Sequence, residues 1–386
     1  MVHVPTTTPT ELKEQIDSDE SVTIVDVRGP RDYDDWHIDG GDNVETVNVP
    51  FIEFQRNPLG ELFENINTDG DVVAVCASGA TSGQVTQLLN QEGIDAKNLQ
   101  HGMNGWAFLY EGQQLDVESD ATVVQFQRPS SGCLSYMVVR DDEAAVVDPL
   151  AAFADTYVQT ARNFDADLVY ALDTHVHADH ISGVRKVGLQ AQADVVVPEP
   201  AVDRGLEFDE DYETVADGDT LSVGTVDVEV RHTPGHTSGM TAYLVDDAVL
   251  LTGDGLFTES VARPDLEDAD AAADAASTLY ASLQEQVLSL PDDTVVAPAH
   301  FSDNAEPAAD GTYSARLGDL VEVMDALSMP EDEFVEYVLA DMPPRPSNYE
   351  DIIETNLGQQ NPPENVAFQL ELGPNNCATT QDSMAD

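Results

Sequence analysis

Seven side chains of metal-binding types follow short apolar runs in four separate segments of the chain. They are His175, His177, Asp179, His180, His236, Asp254 and His300. Imidazole and carboxylate groups in this combination suit a borderline or hard divalent cation. Because each segment follows a strand-like run, these side chains leave a sheet at the ends of its strands, where several of them can converge on one point. The sequence therefore predicts a metal centre.

The remaining histidines are isolated, and we expect them to be ordinary surface or structural residues. They are His3, His37, His101 and His232. Four segments carrying metal-binding residues in a regular order are far harder to explain by chance than four scattered histidines. The predicted chemistry therefore rests on the clustered set alone.

A second reactive position stands near the amino terminus, where the strand-like run Asp71–Cys76 ends on a cysteine. The next seven residues, 77–83, are all small, and we predict that they form a loop before a helix over Gln84–Gln91. Such a loop can curl around the sulfur so that backbone amides and the helix amino terminus face it, which lowers the thiol pKa and accommodates a persulfide anion. The alternative is an inert buried cysteine in a domain kept for docking. Cys133 is expected to be a small core residue, and Cys377 is assigned no role.

These sites sit in a strongly acidic chain of 386 residues, with 74 acidic and 15 basic residues and a formal net charge of -59. Self-repulsion of this size destabilises a compact state in dilute buffer, whereas molar salt shortens the Debye length to roughly 3 Å. We therefore expect a halophilic protein from a salt-rich cytoplasm. The negative field opposes approach to a phosphate backbone, so nucleic-acid processing is disfavoured.

The termini and cysteines favour a cytoplasmic protein. Residues 1–13 lack an apolar stretch behind a basic cluster, and no segment of the chain is long and apolar enough to cross a membrane. The three cysteines form neither a CxxC pair nor an even disulfide framework, which fits a reducing compartment.

Two domains are needed to position the two sites. Strand-like runs at 22–27, 44–49 and 71–76 alternate with helix-like segments, which predicts a doubly wound parallel sheet. From about residue 121 the pattern becomes rich in paired strands, at 123–126, 134–140 and 144–147, followed by 168–172 before the histidine cluster. We expect domains at 1–115 and 116–372 and a flexible tail at 373–386.

The order HxHxDH, then Gly235-His236, Gly253-Asp254 and the late His300 resembles the metallo-β-lactamase superfamily over residues 121–350. That resemblance implies an αββα sandwich with the metal at one edge of its two central sheets. Within the superfamily, the chain is similar to persulfide dioxygenases in Glu143-Ala-Ala-Val-Val-Asp148-Pro149 and in Ala262-Arg263-Pro264-Asp265-Leu266.

The resemblance implies one Fe(II) per chain, held by His175, His236 and Asp254, with three positions open for dioxygen and a substrate sulfur. His177, Asp179, His180 and His300 would then be hydrogen-bond partners that orient the ligands. The rival is a glyoxalase II-type hydrolase that uses all seven side chains to hold two Zn(II) ions and attacks a thioester with metal-bound hydroxide. Arg263 is a candidate anchor for a substrate carboxylate, although a structural salt bridge is an equal alternative.

Residues 8–112 resemble a rhodanese domain through the Cys76 loop, Ile24-Val-Asp26-Val-Arg28 and Gly102-Met-Asn-Gly105-Trp106. Rhodanese loops commonly carry arginines that this loop lacks, so a persulfide relay through Cys76 is favoured over thiosulfate turnover. The leading hypothesis is oxidation of a low-molecular-weight persulfide to sulfite, coupled to this sulfur carrier. The alternatives are the zinc thioester hydrolase and a non-catalytic persulfide-binding module. The expected partners are dioxygen and a small persulfide or thioester, with no nucleic acid and no membrane, and a homo-oligomer stays open.

Overall fold

The computed structural model describes residues 4–18, 20–56, 62, 66–68, 70–302, 305–340, 342–373 and 375–378. It divides into two compact units, one of residues 1–109 with 128–131 and the other of residues 110–127 with 132–386. No helix among the described residues is long and apolar enough to cross a membrane.

The described part of the first unit is a five-stranded sheet with helices. Its strands are β1 (Thr6–Thr7), β2 (Val22–Asp26), β3 (Val44–Asn48), β4 (Asp71–Val75) and β5 (Ala96–Leu99), in the order β1-β5-β4-β2-β3. Every neighbouring pair is parallel. Its helices are α1 (Pro9–Asp17), α2 (Pro30–Asp35), α3 (Phe51–Arg56), α4 (Ala80–Gln91) and α5 (Gly102–Ala107).

Apolar side chains cover both faces of this sheet, as a parallel sheet requires. Ile24 and its neighbours pack with Leu12 of α1 and Trp106 of α5 on one face. Val25 and its neighbours pack with Leu89 of α4 and Phe54 of α3 on the other. The doubly wound parallel sheet predicted from the sequence is therefore confirmed.

The first sheet of the second unit has seven strands within the described residues. They are β6 (Glu111–Gln114), β7 (Thr122–Arg128), β8 (Cys133–Arg140), β9 (Glu143–Val147), β10 (Asp167–Leu172), β11 (Asp194–Pro198) and β12 (Glu213–Val215), in the order β12-β11-β10-β9-β8-β7-β6. Strand β6 precedes the expected domain boundary at residue 115, yet it pairs antiparallel with β7 in this sheet.

The second sheet has six strands in the part of the chain that the structure covers. They are β13 (Thr220–Val223), β14 (Val226–His232), β15 (Thr241–Val245), β16 (Val249–Gly253), β17 (Val295–Pro298) and β18 (Ala315–Arg316), in sequence order. The helices of this unit are α6 (Ala154–Asn163), α7 (Val184–Ala191), α8 (Pro200–Asp203), α9 (Ala272–Ser282), α10 (Leu317–Val323), α11 (Glu331–Ala340), α12 (Tyr349–Asn356) and α13 (Glu364–Leu370).

The two sheets pack face to face with helices outside, which confirms the αββα sandwich. Tyr136 of β8 meets Val230 of β14 and Leu251 of β16 in the core between the sheets. The next residue, Met137, points to the opposite face of β8 and packs with Tyr157 of α6. This alternation follows from the two-residue period of a strand and gives each sheet a second buried face. On the far side of the second sheet, β16 packs against α9 and α11.

Candidate metal centre and cysteine site

Four strand ends deliver the clustered side chains. The histidine segment follows β10 directly, and the other ligand-type residues follow β14, β16 and β17. Strands β14 and β16 are each antiparallel to β15, and β17 is parallel to β16, so these three end at the same edge of the second sheet. Gly253, at φ +53°, is required there because a Cβ would lie 2.6 Å from Thr174 Oγ1 and 2.1 Å from Met240 Cε.

The first cluster consists of His175, His236 and Asp254, whose ligand atoms all lie within 4.8 Å of one another. Both Nε2 atoms are 3.6 Å from Asp254 Oδ2. The other ring nitrogens are engaged, since His175 Nδ1 lies 2.9 Å from Thr174 Oγ1 and His236 Nδ1 lies 3.0 Å from the Arg263 carbonyl oxygen. Each imidazole is therefore held so that Nε2 faces the same point.

The three atoms that face this point, His175 Nε2, His236 Nε2 and Asp254 Oδ2, are buried and have no hydrogen-bond partner among the described residues. A buried polar atom without a hydrogen-bond partner costs free energy of folding. Three such atoms that face one point therefore indicate that a group binds there. Burial lowers the pKa of His175 well below its ordinary value and also lowers the pKa of His236. Two neutral imidazoles and one carboxylate are a donor set that fits a divalent transition metal.

The second cluster consists of Cys133, Asp179, His180 and His300, again within 4.8 Å of one another. Asp179 Oδ2 accepts from His300 Nε2 at 2.8 Å and from Cys133 Sγ at 3.2 Å, and it lies 3.1 Å from His180 Nδ1. Asp179 Oδ1 and His180 Nε2 have no partner in the described part of the chain. This cluster therefore also presents unpaired ligand atoms.

His300 joins the two clusters, because its Nδ1 lies 2.5 Å from Asp254 Oδ1. Burial alone would lower the pKa of His300, but the Asp254 and Asp179 carboxylates raise it well above its ordinary value. An imidazolium that donates from both nitrogens satisfies both carboxylates. It fixes Asp254 so that Oδ2 remains turned toward the first cluster.

His177 belongs to neither cluster, although its ring centroid lies 4.2 Å from that of His175 and 4.1 Å from that of His180. Its Nδ1 is buried and has no hydrogen-bond partner among the described residues. Its Nε2 is 3.1 Å from Asp148 Oδ1 and 3.6 Å from Asp173 Oδ1, and these two carboxylates help raise its pKa well above the ordinary value, against the effect of burial. Asp148 also accepts from the Thr174 amide at 2.7 Å and the Thr174 hydroxyl at 3.0 Å. The same carboxylate thus contacts the His177 ring at Nε2 and supports the residue that orients His175. The sequence signal for this role is the Asp148-Pro149 motif.

All three cysteines are buried, and two of them lie beside the clustered ligand-type residues. Cys133 is fully buried, as a core residue would be, but its thiol donates to Asp179. Cys377 is also buried and lies within 4.8 Å of ligand atoms of Asp254 and His300. The expected loose tail is therefore wrong for residues 375–378, whereas residues 379–386 lie outside the described part. The proline and asparagine residues of this tail do not indicate in the sequence that Ala378 pairs with Ala262.

Arg263 is buried and engaged, which corrects the expectation that it could anchor a substrate. Its Nε and Nη2 donate to the two Asp265 oxygens at 2.8 and 3.1 Å, and its Nη1 donates to the carbonyls of Pro344 and Asn376, both at 2.9 Å. The structural salt bridge, its stated alternative, is what the structure contains. Arg263 fixes the backbone whose carbonyl oxygen orients His236.

Three of the four isolated histidines are described by the structure, and they lie outside these clusters. His37 Nδ1 lies 2.9 Å from the Tyr33 carbonyl oxygen, His232 Nε2 lies 3.0 Å from that of Ser238, and His101 is exposed at the start of α5. His3 lies outside the described residues.

Cys76 follows β4 in the first unit and is 5% exposed. Helix α4 begins at Ala80 and not at Gln84 as predicted, because Gly79 adopts φ +81° and starts the helix early. The Ser82 amide therefore lies in the first helical turn and donates to Cys76 Sγ at 3.3 Å. Burial alone would raise the pKa of the Cys76 thiol, but hydrogen bonds from the Ser82 hydroxyl and from the amides of Ser82, Ser78 and Thr81 lower it below its ordinary value.

The comparisons with known proteins match a different family to each of two segments of the chain. Residues 129–300 match the metallo-beta-lactamase superfamily model, and residues 8–108 match the rhodanese-like domain model. The mitochondrial persulfide dioxygenase ETHE1 of Bos taurus is 28% identical over 227 residues, which are 56% of this chain and 85% of that relative.

Two solved structures extend the likeness. The crystal structure of ETHE1 from Myxococcus xanthus has a TM-score of 0.53 and 27% identity, covering 61% of this chain and 97% of that one. A metallo-beta-lactamase from Staphylococcus aureus has a TM-score of 0.57 and 25% identity, covering 62% of this chain and 73% of that one.

Proposed function

Because the chain belongs to the metallo-β-lactamase superfamily and also carries a rhodanese-like domain, we propose that it oxidises a low-molecular-weight persulfide to sulfite at a single iron ion. The proposal starts from the premise that the protein is a metal-dependent enzyme of this superfamily and is related to persulfide dioxygenases. In the overall reaction, RSSH, O₂ and H₂O give RSH, sulfite and two protons.

One observation carries the proposal: the ligand atoms of His175, His236 and Asp254 lie within 4.8 Å of one another, and the three that face the common point have no hydrogen-bond partner among the described residues. A dinuclear hydrolase that uses all seven side chains needs His177 at the metal. Two histidines and one carboxylate are the donor set of non-haem Fe(II) oxygenases, and they leave positions open. Iron bound by His175, His236 and Asp254 would supply adjacent positions for dioxygen and the substrate sulfur.

The protein's own groups prepare this site for that task. The Thr174 hydroxyl and the Arg263 carbonyl oxygen hold the two imidazoles with Nε2 toward the metal position. The His300 imidazolium occupies Asp254 Oδ1, so only Oδ2 remains for the metal. Partners of this kind raise metal affinity by orienting the ligands before binding.

Cys76 is proposed as the sulfur carrier. Its thiolate attacks the outer sulfur of RSSH, the S–S bond breaks, RS⁻ leaves, and Cys76 bears the transferred sulfur with its proton. The cradle contains amides and a hydroxyl and no arginine, which suits a singly charged or neutral persulfide better than the thiosulfate dianion. We propose a cytoplasmic, salt-rich setting for this protein and a domain division near residue 115 that leaves β6 in the second domain.

The second candidate is the dinuclear zinc thioester hydrolase. The observation in its favour is the second cluster, where Asp179 Oδ1 and His180 Nε2 have no partner within the described residues and His300 is shared with Asp254. A second ion there would displace the proton that His300 holds between two carboxylates. His177 could join such a site through Nδ1, which is buried and has no hydrogen-bond partner among the described residues, while Nε2 keeps its contact with Asp148.

Metal analysis of protein purified anaerobically, combined with an oxygen electrode, tests the proposal. We expect one iron ion per chain and oxygen uptake that depends on an added small persulfide and produces sulfite. Two zinc ions per chain, no oxygen uptake and thioester hydrolysis would establish the second candidate instead. If the metal site is filled and the protein turns over neither the persulfide nor the thioester, its only remaining role is to bind persulfide.

A further inference from the structure

We infer that Ser82 and Asn98 form a hydrogen-bond switch that sets the charge state of the Cys76 sulfur, an inference that builds on the proposed sulfur-carrying role of Cys76. The three side chains lie in a row inside the first unit. Ser82 Oγ is 3.2 Å from Cys76 Sγ and 2.6 Å from Asn98 Oδ1. All three residues are buried.

A count of protons shows that the row has two states. The Ser82 hydroxyl has one proton but two acceptors within reach. When Cys76 is a thiol, its S–H donates to Ser82 Oγ and the Ser82 hydroxyl donates to Asn98, so every group is paired. When the sulfur is a thiolate or a persulfide anion, the Ser82 hydroxyl turns to the sulfur and Asn98 Oδ1 loses its partner. A buried acceptor without a partner is costly, so Asn98 opposes the anionic state.

The groups around the row are fixed, so the hydroxyl is the part that moves. Asn98 Nδ2 donates to the Gly79 carbonyl at 3.1 Å, which turns Oδ1 toward Ser82, since the reverse orientation would bring two oxygens together. The Ser82 amide donates to the sulfur at 3.3 Å in either state. Thr86 donates to the Ser82 carbonyl at 2.9 Å and anchors the first turn of α4.

Charged side chains on the neighbouring elements are engaged elsewhere. Lys97 of β5 pairs with Asp71 of β4 at 2.5 Å, and Arg28, after β2, pairs with Asp26 at 2.6 Å. His101 precedes α5 and is exposed. The strongest influences on the Cys76 pKa are burial and four neutral hydrogen bonds. The direction in which the Ser82 hydroxyl donates its proton therefore strongly affects the equilibrium between the Cys76 thiol and thiolate.

The switch matters for sulfur transfer because only the thiolate attacks a persulfide. Ser82 favours this attack by donating to the anion, and Asn98 restrains it by competing for the same proton. The same Ser82 proton is available to a persulfide anion on Cys76 after transfer. Ser82 and Asn98 are thus positioning residues that act on the sulfur in opposite directions.

The test is the pH dependence of iodoacetamide alkylation at Cys76 in the full-length protein in molar KCl, followed by mass spectrometry of the peptide that contains Cys76. We expect Ser82→Ala to slow alkylation at pH 7 about tenfold, because the anion loses a hydrogen bond. Asn98→Ala should speed it about threefold, and this gain should vanish in the Ser82→Ala background. Asn90→Ala is the matched control, since it removes a side-chain amide that lies on the same helix and bonds to the Ala96 backbone, and it should leave the rate unchanged.

Parallel slowing by both single variants, or an Asn98→Ala gain that persists without Ser82, would overturn the switch. If Ser82→Ala does not fold, Asn98→Ala decides alone, and slower alkylation in it contradicts the inference. Failure of the sulfur-carrier proposal is separately visible. In that case wild-type Cys76 gains no sulfur from a small persulfide, although the opposite alkylation shifts persist.

Discussion

The metal centre and the Cys76 cradle are both buried polar sites at strand ends, yet they stabilise buried charge in different ways. The metal centre pairs formal charges, with His300 between Asp254 and Asp179. The cradle holds its sulfur with backbone amides and one hydroxyl. A site of paired charges tolerates the loss of no member, because the partner left behind is a buried, uncompensated charge. A site of neutral donors can lose one of them and only be retuned.

The largest effect is expected from Asp254→Ala. It removes a metal ligand and also leaves His300 without one of its carboxylate partners, so bound metal and activity should both be lost. His175→Ala and His236→Ala should likewise lose the metal, since each removes one of three bonds to it. His177→Ala should retain more metal, because His177 is not one of the three proposed iron ligands and its Nε2 faces Asp148 and Asp173.

Metal content by plasma mass spectrometry checks this order in protein purified without oxygen. His232→Ala is the control, because the His232 side chain contacts the Ser238 carbonyl oxygen and lies outside both clusters. Equal loss in His177→Ala and His175→Ala, with two ions in the wild type, would remove the mononuclear site.

The sequence predicts the metal centre better than its surroundings, for a physical reason. Histidine and aspartate after strand ends are uncommon unless they bind something, so the ligands stand out. The side chains that orient them do not, since a threonine or a main-chain carbonyl carries no distinctive signal. Cys377 could not be placed because only tertiary packing brings residues 375–378 to the segment around Arg263.

The fold was predictable from the periods of the apolar residues, including the change from a parallel sheet to the paired strands of the sandwich. The start of α4 was not. Residues 80–83 are small and read as loop, but a left-handed Gly79 begins the helix before them. Intrinsic preference is a weak guide where one glycine sets the chain direction.

The next largest effect separates the two sites. Cys76→Ser should eliminate sulfur transfer through the first unit, since an alcohol does not form a persulfide, but leave oxygen uptake with a directly supplied small persulfide within about twofold. Mass spectrometry after incubation with a sulfane donor should find one added sulfur on wild-type Cys76 alone. Asn90→Ala serves again as the control. Loss of direct oxygen uptake in Cys76→Ser would mean that the two sites do not work as independent centres.

A smaller effect is expected from Arg263→Lys, which tests whether Arg263 is structural. Lysine cannot reproduce the paired contact with Asp265 together with two carbonyl contacts, so stability should fall by about 2 kcal/mol or more. The KM for persulfide should stay unchanged. Thermal unfolding and steady-state kinetics measure the two quantities. Arg345→Lys is the matched control, because Arg345 approaches the same Asp265 carboxylate at 3.6 Å from a more exposed position. A raised KM with unchanged stability would restore Arg263 as a substrate anchor.

The smallest effect should come from Lys97→Met, which breaks an exposed ion pair in the first unit. Lys97 Nζ lies 2.5 Å from Asp71 Oδ2, and both side chains are about two-fifths exposed, so the pair contributes less than about 1 kcal/mol. The pair lowers the pKa of Asp71, so its stabilisation is fully present above the ordinary aspartate pKa and is lost as the pH falls through the lowered value. The difference in thermal midpoint between wild type and Lys97→Met should therefore be largest at neutral pH and vanish in acid.

The same difference should also shrink from dilute buffer to molar KCl, since salt screens exposed charges far more than the buried contacts of His300. The same titration on wild type tests the salt-rich setting, because 59 uncompensated negative charges should make its own midpoint rise with KCl. A Lys97→Met difference that grows with salt would show that exposed and buried pairs in this protein do not differ as the two sites imply.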